Sequence, residues 1–378
     1  MSKSKTKIKR KNKSKLRMDR ILVVIAILCL ILASTIYLIN NAHKTKIDIT
    51  SFDSFQRVRA VFQYANLQDE PVPDNTIKLD YSQNLLTDVS NDEFSAHYIY
   101  AIDKSNGTVL FDKNSDMKCY PASTTKILTS IVAIEYIDLD TLFTVGNEIT
   151  FAEEGSSLAY LIKGDELPLK DLLYGLMLPS GNDCAYTIAV NVARRVSGNM
   201  LLTDTEAVSY FVDLMNKKAQ EIGMYDSHFL VPDGYHKKEH YVTAQDMMKL
   251  LIYAENNDVL KKVVSTASYT VTSSNDNEYT WINTNKLIDT DTSYYYEGVT
   301  GFKTGFHDDA GNCLIITANI GGREIYAVMM KSKTDTTRYQ DATLLLDAIY
   351  NPSDVTNDTK NPDNDGSTTE TDTNKSEN

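Results

Sequence analysis

Ser123 and Lys126 stand three residues apart in Pro121-Ala122-Ser123-Thr124-Thr125-Lys126, at the start of a segment with helical periodicity. On a helix that spacing puts both side chains on one face, so an amine can reach the hydroxyl it has to deprotonate. Serine is a weak nucleophile at its free pKa, and Lys126 can act as its base only while neutral. Burial and a nearby second cation, Lys303, are both expected to lower the lysine's pKa. The spacing alone is uninformative, because Ser2-Lys5, Ser4-Lys7 and Ser115-Lys118 share it. A Ser-x-Asn pattern likewise begins at Ser82, Ser180, Ser197 and Ser273, but only Ser180-Gly181-Asn182 falls in a loop between two strongly helical stretches. Lys303-Thr304-Gly305 occurs once, at the end of a strand pattern, with a glycine that lets a substrate backbone approach closely.

The elements that must hold these residues read clearly in the pattern. Residues 97–102 and 108–111 form two β-rich runs around Asn106-Gly107, a hairpin signature. Helical periodicity follows over 124–136, 169–177, a stretch carrying Ala185 to Val196, a stretch carrying Phe211 to Ile222, and 243–253 with Thr243 as N-cap. Strand patterns return at 269–272, 298–303, 313–318 and 324–330, and a last helix is expected over 337–350. Strands at both ends with helices between them predict one α+β domain over residues 94–350, its N-terminal hairpin joining a sheet completed by the C-terminal strands.

Ser-x-x-Lys, Ser-x-Asn and Lys-Thr-Gly in that order are the motif set of β-lactamases and penicillin-binding proteins. From about Ser95 to Tyr350 the chain resembles the low-molecular-mass penicillin-binding proteins that act as serine-type D-alanyl-D-alanine carboxypeptidases. The likeness extends to the strings running from Asp171 to Asp183 and from Phe211 to Ala219, to Pro232-Asp233-Gly234, to His240 through Ala244 and to Asn283-Thr284-Asn285. The resemblance implies a β-lactamase/transpeptidase-like fold, an antiparallel sheet flanked by helices plus a helical subdomain. It further implies Ser123 as nucleophile, Lys126 as its base, and Ser180 and Asn182 as proton relay and holder of the substrate amide. Lys303, Thr304, Gly305 and Phe306 would orient the substrate, with backbone N–H groups of Ser123 and Phe306 meeting the oxyanion. Arg338 matches an arginine for the terminal carboxylate. The implied partners are peptidoglycan stem peptides, with β-lactam antibiotics as covalent inhibitors and no cofactor.

Two features depart from that family pattern: Thr300 stands where an aspartate is common, and Cys184 replaces a small residue. Competing readings are a class A-like β-lactamase, a non-catalytic wall-binding ectodomain, and an endopeptidase acting on cross-bridges. The first needs a Glu-x-x-Leu-Asn string between the second and third motifs, and none occurs.

Around the domain the composition changes sharply. Residues 1–20 carry ten Lys/Arg against Asp19 in a chain of net charge −13, so the remainder is strongly acidic and no nucleic-acid partner is expected. Residues 21–40 are almost wholly apolar and long enough for a transmembrane helix. Basic residues before it predict a cytoplasmic N-terminus and an extracellular catalytic domain on a single-pass cell-membrane protein. Residues 41–93 read as a stalk, and 351–378 as a disordered acidic tail. The four cysteines show no metal-ligand spacing; Cys29 lies in the apolar run, and Cys119, Cys184 and Cys313 are expected to be packed thiols. His236-Lys237-Lys238-Glu239-His240 fits a zinc-peptidase pattern, but it follows Pro-Asp-Gly and reads as a loop, so no metal is expected. His307 is placed near the Lys-Thr-Gly strand as a bystander lining the cleft.

Overall fold

In the computed structural model, which describes residues 79–80 and 89–350, the predicted hairpin is formed by β1 (Tyr98–Asp103) and β2 (Thr108–Lys113). Asn106 closes the turn by accepting from the Thr108 N–H through its side chain at 2.9 Å. The C-terminal strands are β7 (Val299–His307), β8 (Gly311–Ile320) and β9 (Arg323–Ser332). β1 pairs antiparallel with β9, so the five-stranded sheet runs β2-β1-β9-β8-β7 and joins the two ends of the domain as the pattern predicts.

Both faces of this sheet are covered, which is why its strands read as unbroken apolar runs such as Cys313–Ile316. Alternate residues divide between two cores. Ile99, Ala101, Leu314, Ile316, Ala327 and Met329 pack with Tyr339, Ala342, Leu345 and Leu346 of the final helix. Tyr100, Ile102, Ile315, Val328 and Met330 face the larger core built from the helices between the two strand groups. Those helices are α1 (Lys126–Tyr136), α2 (Leu169–Met177), α3 (Asn182–Val196), α4 (Asp204–Ile222), α5 (Ala244–Ala254) and α6 (Asp258–Val264), and α7 is Asp335–Tyr350. Thr243 caps α5 by accepting from Asp246 N at 3.1 Å, as its position suggests.

The pattern is incomplete in three places. α6 is only seven residues long, too short to show its period against the loops around it. Glu278–Ile282 is β6, an antiparallel partner for β5 (Ser268–Thr272), and Leu142–Thr144 (β3) pairs with Glu166–Pro168 (β4). These are short ribbons with one half-buried face. Near the final helix, Tyr294 lies against Tyr339 and Tyr296 donates to Asp347 at 2.9 Å. Cys119, Cys184 and Cys313 are buried free thiols. The basic segment, the transmembrane helix expected at 21–40, most of the stalk, the tail and Cys29 lie outside the described residues. Among the described residues no helix is long and apolar enough to cross a membrane.

Candidate active site

The nucleophile turn is a 3-10 turn, Ala122–Thr125, that runs directly into α1. Ser123 sits in that turn and Lys126 opens the helix, which brings the amine within 2.9 Å of the Ser123 hydroxyl. Lys126 Nζ also donates to Asn182 Oδ1 at 2.7 Å and to the Asp233 carbonyl at 2.7 Å. A neutral amine has two N–H bonds and one lone pair. With the two N–H groups held by Asn182 and Asp233, the lone pair is left facing Ser123. Lys126 is 0% exposed, and burial lowers its pKa to about 8 against the opposing pull of the Asp233 and Asp183 carboxylates. The cause differs from the expected one in emphasis. Desolvation is the largest cause at Lys126, and burial, then Lys126, then Arg338 hold Lys303 well below the usual lysine range.

The walls around this pair are held by close backbone approaches. Gly234 has φ +82, and a Cβ there would lie 1.9 Å from the Ala122 carbonyl oxygen, so the Pro232-Asp233-Gly234 loop can pack on the nucleophile turn only with glycine. That packing delivers the Asp233 carbonyl to Lys126. Gly305 makes a second close approach that its sequence does not disclose. A Cβ there would sit 3.1 Å from both Pro121 O and Ser123 N, so the bare backbone also fits closely against the Ser123 turn while Gly305 lines the cleft. Lys303-Thr304-Gly305 also lies inside β7, not at its end, because the strand runs on to His307. β7 is the edge of the sheet, which leaves one of its sides to the cleft.

Ser180 has φ +65, an uncommon conformation for serine, and its buried hydroxyl makes no hydrogen bond. A strained turn presenting an unsatisfied hydroxyl is the kind of cost found at sites of chemistry. Next in the chain, Asn182 begins α3 and Asp183 accepts from Ala159 N, Leu161 N and Cys184 N at 2.8–3.0 Å. Asp183 therefore pins the segment opposite β7. Ser123, Ser180, Asn182, Thr304, Gly305, Phe306 and Arg338 all line one cleft of about 510 Å³. Lys126 and Lys303 lie buried behind it. The nine residues singled out from sequence are thus brought together.

Comparison with known proteins agrees with this geometry. Residues 86–334 match the family described as D-alanyl-D-alanine carboxypeptidase. The chain belongs to that family of serine peptidases. It is similar to the D-alanyl-D-alanine carboxypeptidase of Streptomyces sp. strain K15, 33% identical over 65% of this chain and 84% of that protein. It is also similar to D-alanyl-D-alanine carboxypeptidase DacF of Bacillus subtilis, 30% identical over 66% of this chain and 60% of that one, which is less than two thirds of its length. The crystal structure of the Streptomyces K15 DD-transpeptidase matches 68% of this chain and 98% of its own, at 31% identity and a TM-score of 0.62.

Arg338 is 7% exposed at the first turn of α7. It donates to the Gly305 carbonyl at 3.3 Å and pairs with Asp335, while its Nε is buried without a partner. Thr304 shares a 2.6 Å hydrogen bond with Thr284, and Tyr339 donates to the Thr284 carbonyl at 2.7 Å. Thr284, within the Asn283-Thr284-Asn285 string that carries the likeness, therefore links the Lys-Thr-Gly strand to the Arg338 helix, a role the string itself did not disclose. Phe306 is 59% exposed at the cleft. Thr300, where the family pattern often has aspartate, bonds across to Thr317 of β8 at 2.8 Å and so keeps the strand pair joined. Cys184 is fully buried, and burial raises its pKa well above the thiol range.

The zinc-like pattern separates in space. His240 is 1% exposed, sits 3.0 Å from Thr125 Oγ1, and accepts from Leu230 N at 3.2 Å. Burial lowers its pKa to about 3, so it acts as a neutral strut under the nucleophile turn. His236 instead lies beside His307 and Asp309, a grouping that the sequence, which placed His307 as a bystander, did not show.

Proposed function

We propose that Ser123 cleaves the bond between the two D-alanines that end a peptidoglycan stem peptide, releasing the terminal D-alanine. Neutral Lys126 takes the Ser123 proton as the oxygen attacks the carbonyl carbon. The oxyanion that forms is met by the N–H groups of Ser123 and Phe306. The proton then passes by way of Ser180 to the departing amine, the C–N bond breaks, and an acyl-enzyme remains on Ser123. Water hydrolyses that ester and restores the serine. Asn182 holds the substrate amide, Lys303, Thr304 and Gly305 position the peptide, and Arg338 receives its free carboxylate. A β-lactam enters the same path and stays as a covalent acyl group.

One observation carries the reading: a fully buried amine stands 2.9 Å from the Ser123 hydroxyl, its other bonds taken by Asn182 and Asp233. The apolar stretch at 21–40, preceded by ten Lys/Arg within residues 1–20, supports anchoring as a single-pass membrane protein with the N-terminus cytoplasmic and the carboxypeptidase domain outside. The test incubates the protein with a peptide ending in D-Ala-D-Ala beside Ser123→Ala. Free D-alanine from the first and none from the second supports the proposal, and equal release from both refutes it.

A further inference from the structure

The loop after Gly234 and the end of β7 face each other at the mouth of the cleft, and each supplies an imidazole. The His236 and His307 rings meet edge to face with centroids 5.2 Å apart. Asp309 Oδ2 lies 3.4 Å from His236 Nδ1. One ligand atom from each of the three residues lies within 4.8 Å of the other two. His236 Nδ1 is closed off from solvent yet makes no hydrogen bond, a cost that a buried nitrogen ordinarily avoids. Tyr120 packs edge-on against His236 at 4.8 Å and lies 5.8 Å from His307, which restricts both rings. Tyr120 also precedes the Pro121-Ala122-Ser123 turn, so the cluster adjoins the nucleophile segment.

We propose that His236, His307 and Asp309 bind a divalent ion of the zinc class, and that the bound ion slows acylation of Ser123 by tying the two walls of the cleft together. Two imidazoles and one carboxylate suit zinc and its first-row neighbours, whereas calcium and magnesium prefer all-oxygen sites. Tetrahedral bonds of about 2.0–2.1 Å bring ligand atoms to roughly 3.4 Å apart, so the group has to contract on binding. Asp309, with its side chain 63% exposed on a turn, has the freedom to do so. His307 Nδ1 accepts from Ala310 N at 3.2 Å, and a metal on either ring nitrogen ends that bond, since a metal on Nε2 leaves the proton on Nδ1. Three protein ligands leave the fourth position to water, which makes an open, exchangeable site rather than a closed structural one. All three ligands line the cleft that holds Ser123, so an occupied site narrows the path to it. This second half rests on the reading of Ser123 as nucleophile, and the first half does not.

The full-length protein is titrated with Zn2+ against a competing fluorescent chelator, beside Asp309→Asn, His236→Gln and His307→Gln, with Ca2+ as a parallel arm and thermal melts to establish folding. The site predicts one zinc bound that each substitution weakens by about tenfold or more, with no matching response to Ca2+. Unchanged zinc affinity in folded Asp309→Asn and His236→Gln overturns it. In parallel, fluorescent-penicillin labelling of the wild type is followed with and without saturating Zn2+. A labelling rate lowered by about tenfold, with Asp309→Asn indifferent to the ion, supports the gate. A wild-type rate unaffected by bound zinc overturns it. Absence of labelling without any metal would instead count against the nucleophile assignment, leaving the zinc titration to decide the site.

Discussion

The pH dependence of acylation exposes the state of Lys126 directly. Its pKa is lowered to about 8 by burial, and the reaction consumes the neutral form. With that pKa roughly 1% of Lys126 is neutral at pH 6, about 10% at pH 7 and half at pH 8. The rate of penicillin labelling under single-turnover conditions should therefore climb about 50-fold from pH 6 to pH 8 and level off above about pH 9. Asp233 then supplies a perturbation of known sign. Its carboxylate is the foremost of the groups that raise the Lys126 pKa, so Asp233→Asn should move the rising limb to lower pH. The same shift has a cost in stability. A lysine whose pKa falls from 10.5 to about 8 on folding destabilises the native state by about 3 kcal/mol below pH 8, and that cost disappears as pH rises from 8 to 10.5. Stopped-flow labelling from pH 5.5 to 9.5 reads the profile. A rate flat across that range, or a limb that Asp233→Asn moves to higher pH, refutes the neutral-lysine mechanism.

Two further substitutions test how the site is held. Gly234→Ala forces a Cβ to within 1.9 Å of the Ala122 carbonyl at a positive φ, and should cost about 2–4 kcal/mol in denaturant unfolding together with a large loss of labelling rate. Wild-type stability in that variant would show that the two loops are not in contact. Arg338→Ala should lower kcat/KM for peptides with a free terminal carboxylate by about 10- to 100-fold while leaving amidated peptides nearly unchanged. Equal losses on both substrates would assign Arg338 to supporting the Gly305 carbonyl instead.

The sheet was legible in the sequence because the Asn106-Gly107 hairpin and the late apolar runs are local patterns, and their pairing follows from the need to bury both. β6 and α6 escaped notice, since five residues of half-buried ribbon and seven of helix carry too few periods. Ser123, Ser180 and Lys303 were legible through the order of three short motifs, each ambiguous alone. What those motifs cannot convey is contact between distant segments. Gly234 against Ala122 spans more than a hundred residues, and so does the Asp233 carbonyl at Lys126. Gly305 shows the same limit: the residue type announces a close approach without saying that the Ser123 turn is one of the segments that approach. His236 and His307 come together only because β7 extends past Gly305 and its turn folds toward the loop after Gly234.

The proposed mechanism depends on Ser123 carrying the acyl group. The measurement that tests it most directly is intact-mass analysis of the protein after brief exposure to benzylpenicillin, followed by digestion and fragment sequencing. The account predicts a single adduct of the antibiotic's mass within Ala122–Lys126, carried on Ser123 and absent from Ser123→Ala. An adduct on any other residue, or one that survives in Ser123→Ala, would contradict it.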